Sequence, residues 1–151
     1  MFALSYTVAI NPSGVEPVLS RDQVWRGLEM KGEDAKPFVK GMTKCEVVER
    51  SGNQLLRDIV FMGNAHQERI TFYPKVNVAF ERIGEKGFIT NTISDSEQGL
   101  MLTFTFALAF PGTAEGSAAE QEKGEGMKHA YINAVSATLA TVRELARKGE
   151  I

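Results

Sequence analysis

Between His66 and Tyr73 the chain reads HQERITFY, which sets His66 and Glu68 in step with the large apolar Ile70 and Phe72. Successive side chains of a strand point to opposite faces. With Ile70 and Phe72 inward, Glu68 and His66 share their side, and Gln67, Arg69, Thr71 and Tyr73 face solvent. A carboxylate or imidazole held beside an apolar guest is a candidate acid or base. The plainer reading leaves both groups near the strand's open end, in water or paired to a basic residue. Arg57 and Asp58 are adjacent, so they divide between the two faces of their strand. If Ile59 and Phe61 point inward, Arg57 joins them and offers a fork for a ligand carboxylate. If Val60 and Met62 do, Asp58 takes that side and Arg57 pairs across strands on the outer face. Arg82 shares a face with Val76, Val78 and Phe80 and is open to the same two readings.

Other chemistry is thin. The chain has no G-x-S-x-G, H-E-x-x-H, C-x-x-C or Walker loop. Two histidines and one cysteine make a transition-metal site hard to assemble, and nothing calls for a metal or a cofactor. Cys45 alone excludes an internal disulfide, reads as a structural thiol, and suits a reducing, cytoplasmic setting. A formal charge of -2 argues against nucleic acid or an anionic membrane as the main partner. The opening MFALSYTVAINP lacks a basic leader region and falls short of the about 20 apolar residues that insertion into a membrane takes.

The elements that position these groups follow from periodicity. Leu100–Phe110, LMLTFTFALAF, alternates large apolar residues with small or hydroxylated ones, and Phe2–Ile10 does the same. Between these two strands, turn chemistry at Ser51-Gly52-Asn53, Gly63-Asn64, Pro74, Gly84 and Ser94-Asp95 delimits five more. Their short connections favour antiparallel neighbours. Ser20 with Gln23 forms a capping box before a short helix over 21–30 that carries Val24, Trp25 and Leu28. Ser117 with Glu120 opens a second, long helix that ends in Arg143, Arg147, Lys148 and Gly149. Its apolar stripe runs Met127, Tyr131, Ala134, Val135, Thr138, Val142 and Leu145, while His129 falls off it. Gly124 and Gly126 weaken its first third by about 1 kcal/mol each, so that end is expected to fray or bend as a gate would.

The order is strand, short helix, six strands, long helix, within a single domain over 1–151. One helix about 10–12 Å across cannot fill the hollow of a wide, curved seven-stranded sheet, so a cavity is expected between them. The residues expected to line it are Trp25, Ile59, Phe61, Ile70, Phe72, Phe80, Phe104, Phe106, Met127 and Tyr131. Tyr131 and Trp25 also admit purely structural roles in the core.

This order resembles the helix-grip fold of the START and birch-pollen-allergen-like superfamily, and within it the AtaL-like branch. The resemblance is carried by Val24-Trp25-Arg26-Gly27-Leu28, Pro37-Phe38-Val39, Cys45 to Arg50, Leu56-Arg57-Asp58-Ile59 and Tyr131 to Val135. It implies an α+β fold, a curved antiparallel sheet gripping the C-terminal helix around an apolar pocket, and no settled activity. The plant members' glycine-rich loop after the second strand is replaced here by Ser51-Gly52-Asn53, so no phosphate cradle is expected. The leading expectation is a binding protein for a small hydrophobic molecule, a lipid or an aromatic, polyketide-like compound. The alternative is a cyclase or dehydratase-type enzyme using Glu68, His66, Arg57 or Tyr131 in the same cavity. A third is a protein-interaction module with the cavity collapsed. Ligand identity and oligomeric state stay open.

Overall fold

The computed structural model describes all 151 residues. Its elements are β1 (Phe2–Ala9), α1 (Arg21–Glu33), β2 (Met42–Ser51), β3 (Gln54–Phe61), β4 (Asn64–Tyr73), β5 (Asn77–Arg82), β6 (Gly87–Ser94), β7 (Met101–Leu108) and α2 (Ala118–Arg147). The strands form one antiparallel sheet in the order β1-β7-β6-β5-β4-β3-β2. The period-2 pattern sets its two faces. Phe104 and Phe106 of β7 are buried on the concave side with Ile93 and Ile70, and the small residues face outward. There Thr103 and Thr105 meet Thr7 and Ser5 through hydroxyl contacts of 2.8 and 3.1 Å. This is the α+β helix-grip arrangement.

The capping box before α1 forms in full. Ser20 Oγ accepts from Gln23 N, and Gln23 Oε1 accepts from Ser20 N. The helix runs to Glu33, about one turn past the expected end at residue 30. That turn decides the site, because it puts Lys31 on the buried face seven residues after Val24 and three after Leu28. Before α2 only half of the expected box is present. Ser117 Oγ accepts from Glu120 N, but the Glu120 carboxylate reaches Gly116 N rather than returning to Ser117.

α2 packs on β1, β7 and α1, and α1 packs over β5, β6 and β2, with Glu33 of α1 paired to Arg50 near the end of β2. The first third of α2 is not frayed: α2 is an unbroken helix from Ala118 to Arg147. Gly124 lies flat against Phe2, where an added Cβ would stand 2.1 Å from the ring. Its glycine serves close packing, not fraying. Gly124→Ala is therefore expected to destabilise by about 1–3 kcal/mol through overpacking, although alanine is the better helix former. Thermal unfolding checks this, and a raised Tm would show that the first third of α2 does not rest on Phe2.

Candidate functional site

The concave face carries a charged centre built from four elements. Arg57 of β3 points inward and is only 2% exposed. Its Nε and Nη2 donate to Glu68 Oε1 at 3.1 and 2.8 Å, and its Nη1 donates to the Lys31 and Gly32 carbonyls at 2.9 and 2.7 Å. One guanidinium thus neutralises a buried carboxylate and caps the carbonyl end of α1, where a cation is favoured. Asp58 takes the outer face and accepts from Gln67. Glu68 faces inward beside Arg57, its second oxygen 3.9 Å from Arg82 Nε. His66 stands further along β4, half-buried, with Nδ1 2.8 Å from Glu85.

Lys31 enters this centre from α1. Its Nζ donates to Asn91 Oδ1 at 2.7 Å and sits 4.4 and 5.1 Å from the ring centroids of Phe104 and Phe80. Burial lowers its pKa to about 7, the neighbouring Arg57 pushes the same way, and Glu68 pulls against both. Asn91 is fully buried, and its Nδ2 has no partner. Tyr131 of α2 lies on Phe106 with ring centroids 4.4 Å apart and planes 17° from parallel. Burial raises the pKa of its hydroxyl, and Arg82 acts in the opposite sense.

Ile59, Ile70, Phe80, Phe104 and Phe106 lie buried on the concave face, and Phe61, Met127 and Tyr131 are half-buried at its rim. Trp25 and Phe72 meet edge to face at 6.3 Å, and Phe72 also abuts Gly32, so this pair clamps α1 to the sheet. Lys31 and Asn91 escaped the sequence reading. The signal for Lys31 was its i+7 spacing from Val24, hidden by ending the helix too early; for Asn91 it was the alternation with Ile89 and Ile93.

The wide hollow expected from the slimness of the helix is not present. The Arg57, Lys31, Phe104 and Phe106 side chains fill the space that α2 leaves. What remains is a cleft of about 260 Å³, counting the solvent at its mouth, walled by Phe80, Ile89, Phe88 and Leu108 with Glu68, Arg82 and Glu85. Its enclosed part has the room of about a single water. A larger groove, of about 340 Å³, lies between the end of β1 and the last third of α2. It shares no residue with the charged centre.

The profile of the family described as AtaL, acetylaranotin biosynthesis cluster protein L, matches residues 4–149. The chain belongs to the AtaL family. The acetylaranotin biosynthesis cluster protein L of Aspergillus terreus (strain NIH 2624 / FGSC A1156) is 23% identical over 153 aligned positions, covering 99% of this chain and 90% of the relative. Among solved structures, the Zhui aromatase/cyclase from Streptomyces sp. R1128 superposes with a TM-score of 0.63 at 18% identity, over 97% of this chain and 94% of that one. The di-domain ARO/CYC StfQ from the steffimycin biosynthetic pathway gives 0.67 at 12% identity, over 98% of this chain. The AtaL-family chain spans about half of that di-domain protein, 51% of its length. At such identities these structural likenesses speak for the fold. No helix is long and apolar enough to cross a membrane.

Proposed function

We propose that this AtaL-family chain binds a small, flat hydrophobic molecule, of lipid or aromatic polyketide-like class, in the cleft walled by residues of β4–β7 and the β5–β6 turn. The observation that carries the reading is the Tyr131–Phe106 stack. A half-buried ring lies face to face on a wholly apolar one, close to a cleft walled by Phe80, Ile89 and Leu108. Tyr131 occupies the place of a planar guest, and swinging it aside extends the cleft onto Phe106. The biosynthetic setting in the relatives' names supports the same reading.

Titration with a neutral planar fluorophore, N-phenyl-1-naphthylamine, tests it. The protein is expected to give a saturable fluorescence rise. Tyr131→Ala is expected to tighten binding about 2–10-fold, the worth of one ring stack, and Ile89→Trp to weaken it by blocking the wall. A non-saturable signal indifferent to both substitutions overturns the reading.

One observation favours a cyclase or dehydratase instead: an amine with a pKa about 7 is a workable base at neutral pH. Glu68 and Arg57 engage each other and His66 engages Glu85, which leaves Lys31 the better candidate base. That reading predicts turnover that rises through pH 7 as Lys31 loses its proton.

A further inference from the structure

We infer that the groove between β1 and the last third of α2 is a second ligand site, which takes a single-chain amphiphilic carboxylate with its tail along Leu139 and Val8 and its head at Arg143 and Arg147. The groove shares no lining residue with the cleft of the proposed function, so the two readings are independent.

The two ends of the groove differ in kind, and the elements set their order. Leu139, Arg143 and Arg147 stand at i, i+4 and i+8 with Ala140 beside the first, which places them along one face of α2. β1 runs alongside in the same sense: Phe2 lies on Gly124, and the Ile10 carbonyl accepts from Arg143. Val8 therefore falls level with the apolar end, and Val15 of the following loop completes the wall. Apolar surface gives way to two guanidiniums along a single direction. At about 340 Å³ the groove lies within the roughly 300–1,000 Å³ of small-molecule sites.

Arg143 shows what the head must be. It is only 6% exposed, yet its Nη1 and Nη2 donate to the Pro17 and Ile10 carbonyls and no carboxylate stands within 4 Å of it. Burial holds its pKa down, Arg147 adds to this, and Glu16 pulls the other way. A buried cation of this kind is costly until an anion pairs with it. Its Nε has no partner, but the sealed unpaired side-chain atoms of the chain are Asn91 Nδ2 and Thr138 Oγ1 alone. The Arg143 Nε therefore reaches the groove that the residue lines. Two main-chain carbonyls fix the guanidinium before any guest arrives, which lowers the ordering cost of binding. Arg147, one turn on, is already engaged by Glu144 at 3.0 Å and by the Glu16 carbonyl. No acidic side chain lines the groove. One cation without a carboxylate matches one negative charge, so the head is a carboxylate rather than a dianionic phosphate.

Octanoate and 1-octanol, followed in nitrogen–proton spectra of the intact protein, test this. Octanoate is expected to shift the Val8, Ala140 and Arg143 Nε signals saturably. It should bind about tenfold tighter than the alcohol, the worth of one charge-assisted contact. Acetate at the same concentrations should leave Val8 and Ala140 in place. Ala140→Trp, at an exposed position on the groove wall, should abolish octanoate binding while leaving the N-phenyl-1-naphthylamine titration unchanged. Arg143→Met should erase the preference for the acid. Because Arg143 also ties down the loop after β1, Arg147→Met gives a second measurement, a preference reduced about threefold in a folded protein. Equal affinity for acid and alcohol overturns the inference, as does the absence of any octanoate shift. Acetate shifts that match those of octanoate overturn it too, since they mark a surface anion contact with no place for a tail. Octanoate that displaces the fluorophore and still binds Ala140→Trp lies in the cleft, which again overturns it. A fluorophore titration that fails by itself removes the cleft reading and leaves this one standing.

Discussion

Arg57→Met is expected to lower the unfolding free energy by about 3–5 kcal/mol, the cost of stranding one charge of a buried pair. The substitution leaves the Glu68 carboxylate, 7% exposed, without its partner on Oε1. It also strips the Lys31 and Gly32 carbonyls of the donor that caps α1. Urea unfolding measures the loss. The double variant Arg57→Met, Glu68→Leu is expected to recover part of it, because an apolar pair of similar size avoids the stranded charge. Recovery stays incomplete, since the α1 carbonyls remain bare. A loss under about 1 kcal/mol for the single variant would mean that solvent reaches Glu68.

Stability is also expected to climb between about pH 7 and pH 10 because of Lys31. In the unfolded chain this amine keeps its proton up to 10.5, whereas in the folded chain it gives it up at about 7. Between those values the unfolded state binds more protons, so the folded state gains with rising pH by up to roughly 1.4 kcal/mol per pH unit, or roughly 5 kcal/mol in all. Below pH 7 the amine is charged in both states and the burial penalty stands in full. Lys31→Met removes this contribution. Its unfolding free energy relative to the unsubstituted protein should therefore be most favourable at pH 6 and least at pH 9.5. An equal difference at the two pH values would show that Lys31 stays charged when folded.

The strand pattern was legible because each strand has one buried face. In β7 the alternation alone places Phe104 and Phe106 inward, and the structure agrees. Arg57 was harder: the sequence shows that it and Asp58 oppose each other, but Ile59-Val60-Phe61-Met62 is apolar on both faces and does not choose. The choice comes from Glu68 across the β3–β4 register and from the α1 carbonyls above, both tertiary. The same limit governed the hollow. A helix diameter can be compared with a sheet's span, but whether lysine and arginine stems fill the difference depends on where α1 ends and lies. Reading that helix one turn short hid Lys31, and with it the reason Asn91 is buried.

The sheet order has a consequence for how the chain assembles. β2 through β7 pair with immediate neighbours, but β1 pairs with β7, so that Ser5 and Thr105 meet across 100 positions. Closing so long a loop carries an entropic cost before any contact rewards it. On the ribosome, the strand made first must wait for the strand made last. Until then its apolar side (Phe2, Leu4, Tyr6 and Val8) has no α2 to lie under, which makes the nascent amino terminus the segment most in need of shielding from other chains.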